Sequence, residues 1–311
     1  MSHKEELLAV RDLTVSVRTP RGIARPIRGV NLEIHVGEAV GLVGESGCGK
    51  STLAAAAVRL LPSEWAIGGE IRWRGTNVME LEAEELRRIR GGDIGMVFQD
   101  PLGALDPLMK VGAQISEALR AHAVDDHGRR RTRELLSMVS LGEGVESLYP
   151  HQLSGGMRQR VMIAIALAAG PSLLLADEPV SALDAPLQSQ LVDLLADLQR
   201  RLSLSLLLIS HDLALVGRAC SRIVVMYAGQ VVEVGPSEKL LAAPLHPYTS
   251  MLLRAGCMEG PAGRESPHHL VDEEELCAFH PRCTSPLPCC VDQSPRLVES
   301  DGRLCRCHLN A

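Results

Sequence analysis

A chain of 311 residues has room for one large α/β core and an appendage. Its net charge of −6 argues against a generic nucleic-acid binder. No apolar run approaches the roughly 18–20 residues of a membrane span, and the opening Met1-Ser2-His3-Lys4-Glu5-Glu6 lacks the apolar stretch of a secretion signal. The expectation is a cytosolic chain whose membrane role, if it has one, comes through partner subunits. With two Trp, three Tyr and two Phe, the core must be aliphatic. Six of the nine cysteines fall between Cys277 and Cys307, and such clustering in a reducing compartment suggests metal before disulfides.

In chain order, residues 7–17 and 27–36 read as strands joined by a turn around Pro20-Arg21-Gly22, with a third at 69–74. The turn offers Arg21, Ile23 and Arg25 but no aromatic ring to stack on a base. Residues 40–43 are apolar and β-prone, and residues 52–61 are Ala- and Leu-rich and helix-prone. Between them, Gly44-Glu45-Ser46-Gly47-Cys48-Gly49-Lys50-Ser51-Thr52 reads G-x-x-x-x-G-K-S, a phosphate-binding loop. Glycines let the backbone wrap a phosphate, and the following helix start favours an anion. Lys50 would bridge β- and γ-phosphates, and the Ser51 hydroxyl would ligate Mg²⁺. A buried Cys48 without a redox role is the expectation at the loop's centre.

Residues 80–90 place acids first and Arg87, Arg88 and Arg90 last, the order a helix dipole prefers. A strand at 94–98 ends at Gln99, a turn-rich stretch follows at 100–107, and helices are expected at 111–121 and 130–141. The basic run 129–133 reads as a solvated helix start. Leu153-Ser154-Gly155-Gly156-Met157-Arg158-Gln159-Arg160 opens a helix to 169, with Ser154 as N-cap and Gly170-Pro171 as its stop. Residues 173–177 form an apolar strand ending in Asp177-Glu178, where parallel sheets place ligands. A helix at 186–202 puts Leu191, Leu194, Leu195 and Leu198 on one face. A buried strand at 204–209 runs into Ser210-His211-Asp212, and a hairpin at 222–234 turns at Ala228-Gly229. This alternation predicts an α/β fold: a mainly parallel phosphate-loop core with an antiparallel β subdomain. Asp177 would hold Mg²⁺, Glu178 would polarise a water for in-line attack, Gln99 would sense the metal and that water, and His211 would reach the γ-phosphate.

Residues 153–160 resemble the signature motif of ATP-binding-cassette (ABC) ATPases, and the family's whole motif order surrounds them. It runs from the loop at 44–52 through Gln99, the signature and Asp177-Glu178 to Ser181-Ala182-Leu183-Asp184 as D-loop and His211 as switch histidine. The resemblance covers residues 5–240, with a helical signature subdomain at about 100–165. It implies Mg-ATP hydrolysis by a head-to-tail dimer, in which Ser154, Gly155 and Gly156 of one subunit contact the γ-phosphate held by the other. The resemblance departs from the family at Cys48, where Ser is commoner, and at Val180, where many relatives have Thr.

Phe98-Gln99-Asp100-Pro101 through Gln114 looks like the same stretch in the oligopeptide/dipeptide importer branch. So does the tail at 241–311, with Pro244-Leu245-His246-Pro247-Tyr248-Thr249, then Cys277-Ala278-Phe279-His280-Pro281-Arg282-Cys283, then Cys307-His308. That branch implies import of peptides, or of a related solute such as nickel. Its partners would be two integral membrane permease subunits, a second cassette in a heterodimer and an extracytoplasmic solute-binding protein, with no nucleic acid. The chain would sit on the cytoplasmic face of the inner membrane. A soluble ABC ATPase of DNA repair or translation is the alternative. Cys277, Cys283, Cys290 and Cys307 resemble the branch's iron–sulfur pattern. Four thiolates suit [4Fe–4S] or, alternatively, Zn²⁺, with Cys289 and Cys305 as possible substitutes. Cys220 and Cys257 read as ordinary.

Overall fold

The computed structural model describes residues 5–20, 22–122, 129–256 and 276–310; Arg21 and Cys257 lie outside these. The chain forms two compact units, one of residues 1–35, 39–80 and 209–311, the other of 36–38 and 81–208.

The first unit opens with β1 (Glu6–Thr19) and β2 (Gly22–His35), paired antiparallel from Glu6↔His35 to Thr19↔Gly22. Both run longer than their apolar patterns suggest, because hairpin pairing extends past the buried residues. β3 (Ala39–Val43) is buried at every position and leads through the phosphate loop into α1 (Lys50–Ala57). β4 (Ala66–Trp73) and β5 (Thr76–Asn77) complete an antiparallel sheet in the order β2-β1-β4-β5.

The second unit begins with α2 (Ala83–Ile89), whose start is closed by the Glu82 N–H donating to Glu85 Oε2 at 3.0 Å. Next come β6 (Ile94–Val97), one helical turn α3 (Pro101–Ala104) inside the expected loop, α4 (Val111–Ala121) and α5 (Arg129–Met138). The basic run is surface ion pairing: Arg130 and Arg131 reach Glu134, and Arg133 reaches Glu146 at 2.9 Å. α6 (Gly155–Ala166) is followed by β7 (Leu173–Asp177), α7 (Ala185–Leu202) and β8 (Ser205–Ser210), whose last two residues belong to the first unit. The strand order here is β8-β7-β6, with β6 parallel to β7. Both β7 and β8 are buried throughout, as strands covered on two faces must be.

Back in the first unit, α8 (Leu213–Ala219) precedes the hairpin of β9 (Arg222–Tyr227) and β10 (Gln230–Pro236). Its turn residues Ala228 and Gly229 both have positive φ, 48° and 78°, as a tight hairpin requires. β9 runs parallel to β3, Val40↔Arg222 through Val43↔Val225. α9 (Ser237–Ala242) and α10 (Pro247–Gly256) follow. The tail then contributes β11 (Val298–Ser300) and β12 (Arg303–Cys305), which extend this sheet as β11-β12-β10-β9-β3. The tail, rich in Pro and poor in large apolar residues, is therefore partly regular. Three-residue strands carry too little periodicity to be seen in a sequence, and β12 is fixed by pairing with β10, Glu233↔Cys305. Among the described residues, no helix is long and apolar enough to cross a membrane.

Candidate functional site

The phosphate loop closes on itself through Lys50. Lys50 is 4% exposed, and its ammonium donates to the carbonyls of Gly44 at 2.7 Å and Glu45 at 3.0 Å. Gly49 precedes α1 at φ +108°, and a Cβ there would run into the Pro26 carbonyl oxygen. The first helical amide to close a ring is that of Leu53, onto Gly49 O at 2.9 Å. A glycine-shaped loop, a convergent ammonium and a helix start are what a triphosphate needs. Ser46, Gly47 and Ser51 are exposed, Thr52 is partly so, and Cys48 is 1% exposed. Burial pushes the Cys48 thiol up, with Lys50 pulling the other way, so this cysteine is an apolar filler with little thiolate character. His211 is exposed at the end of β8, followed by Asp212, which caps α8 by accepting from Leu215 N at 2.9 Å.

The second unit holds the other motif residues. Gln99 is exposed just past β6. Asp177 and Glu178, 6% and 8% exposed, close β7. Glu178 has φ +47°, a left-handed backbone rare outside glycine, and its carbonyl accepts from Ser181 N at 3.2 Å and Ser181 Oγ at 3.1 Å. Asp184 caps α7 by accepting from Leu187 N at 3.1 Å, and Gln188 ties the turn by donating to Val180 O and Leu183 O. Ser154 caps α6, accepting from Met157 N at 3.3 Å, and with Gly155 it is exposed; Gly156 is buried. Gln114, 9% exposed, accepts from Asp106 N and donates to Asp106 O and Met109 O, each at 3.0 Å. It pins a loop whose tip, Leu108, is 85% exposed, with Phe98 also exposed. A depression lined by Arg130, Glu134, Leu141 and Glu146 also lies on this unit and contains no motif residue.

In the tail, the described cysteines are free thiols. Cys277 and Cys290 are joined by the Cys277 N–H donating to Cys290 O at 3.0 Å. Burial raises the Cys277 thiol pKa, and nearby Cys290 and Cys307 add to that; burial likewise raises Cys307, with Cys283 and Cys290 contributing. Each of the four expected ligands is thus electrostatically coupled to at least one other, and a set of four sulfurs suits a soft metal group. A tighter set also exists: the ligand atoms of Cys289, Cys290 and His308 all lie within 4.8 Å of one another. Sequence spacing singled out Cys290 but not this triad. Cys305 is fully buried on β12, its thiol pushed up to about 12 by burial.

Two tail residues, Tyr248 and Arg282, and Glu233 on β10 escaped the sequence reading. Tyr248 is fully buried, and its hydroxyl accepts the Glu45 N–H of the phosphate loop at 2.8 Å. Arg282 forms a fork on the Glu45 carboxylate at 2.6 and 2.7 Å. Glu233, completely buried, accepts from Leu245 N and His246 N and faces buried Arg303 at 3.7 Å. Tyr227, Tyr248 and Phe279 pack as one ring cluster with centroids 4.7–5.4 Å apart. The scarcity of aromatics was the one available signal: three of the seven meet here.

Together, a cassette core, a phosphate loop and a signature helix define an ABC-type ATPase. A model of the ABC transporter family matches residues 27–181, and one of the oligopeptide/dipeptide transporter C-terminal region matches 232–290. The chain is similar to the dipeptide transport ATP-binding protein DppD of Haemophilus influenzae, 41% identical over 313 residues, covering 97% of this chain and 95% of the relative. It is also similar to the oligopeptide transport ATP-binding protein OppD of Bacillus subtilis, 45% identical over 253 residues, 79% of this chain and 71% of that one. Among solved structures, a dimeric ATP-binding cassette in a post-hydrolysis state with ADP and Pi aligns with a TM-score of 0.66. It is 30% identical and covers 74% of this chain and 99% of that one. The chain belongs to the ABC transporter family of ATP-binding proteins, and it carries the C-terminal region of the oligopeptide/dipeptide branch.

Proposed function

We propose that this chain is the ATP-hydrolysing subunit that powers import of peptides, or of a related small solute such as nickel, through a multi-subunit ABC transporter. The carrying observation is the union, in one chain, of the cassette with the peptide-transporter C-terminal region, along 97% of its length against a dipeptide-transport relative. That region disfavours the alternative of a soluble repair or translation ATPase.

In this reading Lys50 exchanges its loop carbonyls for β- and γ-phosphate oxygens, and the loop amides from Gly44 to Thr52 hold the rest. Ser51, Asp177 and Gln99 would hold Mg²⁺, which would neutralise phosphate charge. Glu178 takes the proton of the attacking water, Gln99 orients that water, and His211 donates to the γ-phosphate. Ser154, Gly155 and Gly156 serve the nucleotide of a second cassette, and Asp184 sits at that junction as D-loop. Most of the rate then comes from positioning and charge stabilisation. The exposed Phe98 and Leu108, on a loop held by Gln114, suit docking to two integral permease subunits. A heterodimeric partner cassette, an extracytoplasmic solute-binding protein and a position on the cytoplasmic face of the inner membrane complete the assembly; nucleic acid has no part. Cys277, Cys283, Cys290 and Cys307 would hold a [4Fe–4S] cluster, or alternatively Zn²⁺, as a staple for a tail short of core.

Glu178→Gln tests the mechanism: turnover should fall by about 10²–10⁴-fold while ATP still binds. Near-normal turnover would remove Glu178 as base. Purification from membranes should recover two integral membrane proteins, and recovery with ribosomes or nucleic acid instead would overturn the import reading. Anaerobically prepared protein should absorb near roughly 400 nm; colourless protein with stoichiometric zinc would replace the cluster.

A further inference from the structure

Glu45 is an odd residue to find in a loop that receives a polyanion. Its carboxylate stands two positions from Gly47 and five from Lys50, and an uncompensated negative charge there opposes phosphate binding. The tail removes that difficulty. Arg282 meets the Glu45 carboxylate with two parallel bonds, NH1 to Oε2 at 2.6 Å and NH2 to Oε1 at 2.7 Å, the geometry that makes Arg–carboxylate pairs strong and oriented. Both side chains are largely withdrawn from solvent, 21% and 17% exposed, so water screens the pair only partly.

The guanidinium is itself held in place. It lies 5.8 Å from the centroid of the Tyr227 ring, and its NH2 reaches Met251 Sδ at 3.7 Å. Its backbone is fixed in a single turn, with Arg282 N donating to Phe279 O at 3.0 Å. Phe279 in turn packs on Tyr227 and Tyr248. Tyr248 accepts the Glu45 N–H, while Lys50 donates to the Glu45 carbonyl. Glu45 is therefore gripped at its amide and its carboxylate by two residues of the tail, more than 200 positions away in sequence, and at its carbonyl by the phosphate-binding lysine.

We infer that Arg282 is a positioning residue for the nucleotide site, which neutralises Glu45 and holds the phosphate loop in its binding shape. The tail is then part of the nucleotide-binding apparatus of this chain, beyond any part it plays in assembly. This inference rests on the chain binding Mg-ATP through the loop at 44–52. Two modes of action are separable. If Arg282 works by charge, removing it unmasks Glu45, and removing Glu45 as well cures the defect. If Arg282 merely supports the tail, the second change cures nothing.

The experiment titrates full-length protein with Mg-ATP and follows steady-state ATPase for the wild type, Arg282→Ala, Arg282→Lys and Arg282→Ala/Glu45→Gln, with thermal unfolding of each. Arg282→Ala should raise the Kd and KM for ATP by roughly ten-fold or more, the scale of one lost charge-assisted contact, with a smaller change in kcat. Arg282→Lys, keeping the charge without the fork, should fall between it and the wild type. The double variant should regain most of the lost affinity. Wild-type affinity in Arg282→Ala overturns the inference. So does a double variant as weak as the single one, and so does a defect that tracks unfolding temperature alone. Failure of the wild type itself to bind Mg-ATP would instead strike the nucleotide-site reading on which the inference stands.

Discussion

Gly49 and Ser154 each stand at the start of a helix, α1 and α6, and each start is suited to a phosphate, yet their surroundings differ in kind. The first is buried and held from several sides: Lys50 on the loop carbonyls, Tyr248 and Arg282 on Glu45, Pro26 against Gly49. The second is exposed, and its local support is Ser154 accepting from Met157 N, with Arg158 donating to Leu153 O at 2.9 and 3.1 Å. A Cβ on Gly155 would meet only Leu183 Cδ2, at an ordinary 3.6 Å. One start is finished within its own chain. The other is finished only enough to remain a helix, which is the condition expected of a surface offered to a second molecule.

The support of the first helix start can be weakened from the tail. Arg303 and Glu233 face each other at 3.7 Å with side chains 3% and 0% exposed, and removing one partner of such a pair costs about 3–5 kcal/mol. Arg303→Ala should lower stability on that scale and weaken ATP binding, while amide exchange in α6 stays unchanged. Equal loosening of α6 would show that the two helix starts are not independently supported.

A second lever is His246. Burial holds it neutral, with its pKa lowered from 6.5 to about 4, and its Nδ1 accepts from Tyr248 N at 3.0 Å. Between those values the unfolded chain binds a proton that the native chain does not. Stability is therefore complete above pH 6.5 and falls as pH drops toward 4, by about 3 kcal/mol at most. Chemical denaturation across this window should show the fall, and His246→Gln should flatten it. An unchanged slope in that variant would assign the pH dependence elsewhere.

Gly49→Ala forces a side chain into φ +108°, a strain of about 1–3 kcal/mol before its clash with Pro26 O is added, and should abolish nucleotide binding. Gly155→Ala should alter unfolding by no more than about 0.5 kcal/mol and leave ATP binding intact. Its loss should appear only in turnover of the assembled transporter. Impaired ATP binding in Gly155→Ala would sink the idea of a helix start reserved for a partner.

The local structure around the motif residues was legible because each part is contiguous in sequence. The loop at 44–52 is contiguous, Ser154 and Asp184 cap the helices they precede, and β7 is an unbroken apolar run before Asp177. What escaped depends on long-range closure. The pairing of Arg282 with Glu45 spans 237 positions, and Tyr248 reaches the same residue across 203. Neither has a spacing rule, and both stood inside stretches read for other reasons, the proline-rich start of the tail and the cysteine pattern. β11 and β12 were missed because three residues of Val-Glu-Ser or Arg-Leu-Cys make no pattern until β12 pairs with β10 and β11 with β12. The triad of Cys289, Cys290 and His308 was hidden by the same logic, since adjacent cysteines are a poor spacing signal.

The φ of +47° at Glu178 is a backbone shape that glycine adopts without penalty and a carboxylate-bearing residue does not. In the proposed mechanism an acid is needed at the end of β7, and that need runs against a relaxed chain. Glu178→Gly should melt at a higher temperature than the wild type while losing turnover. A library screened for thermal resistance alone would enrich dead enzymes at this one position.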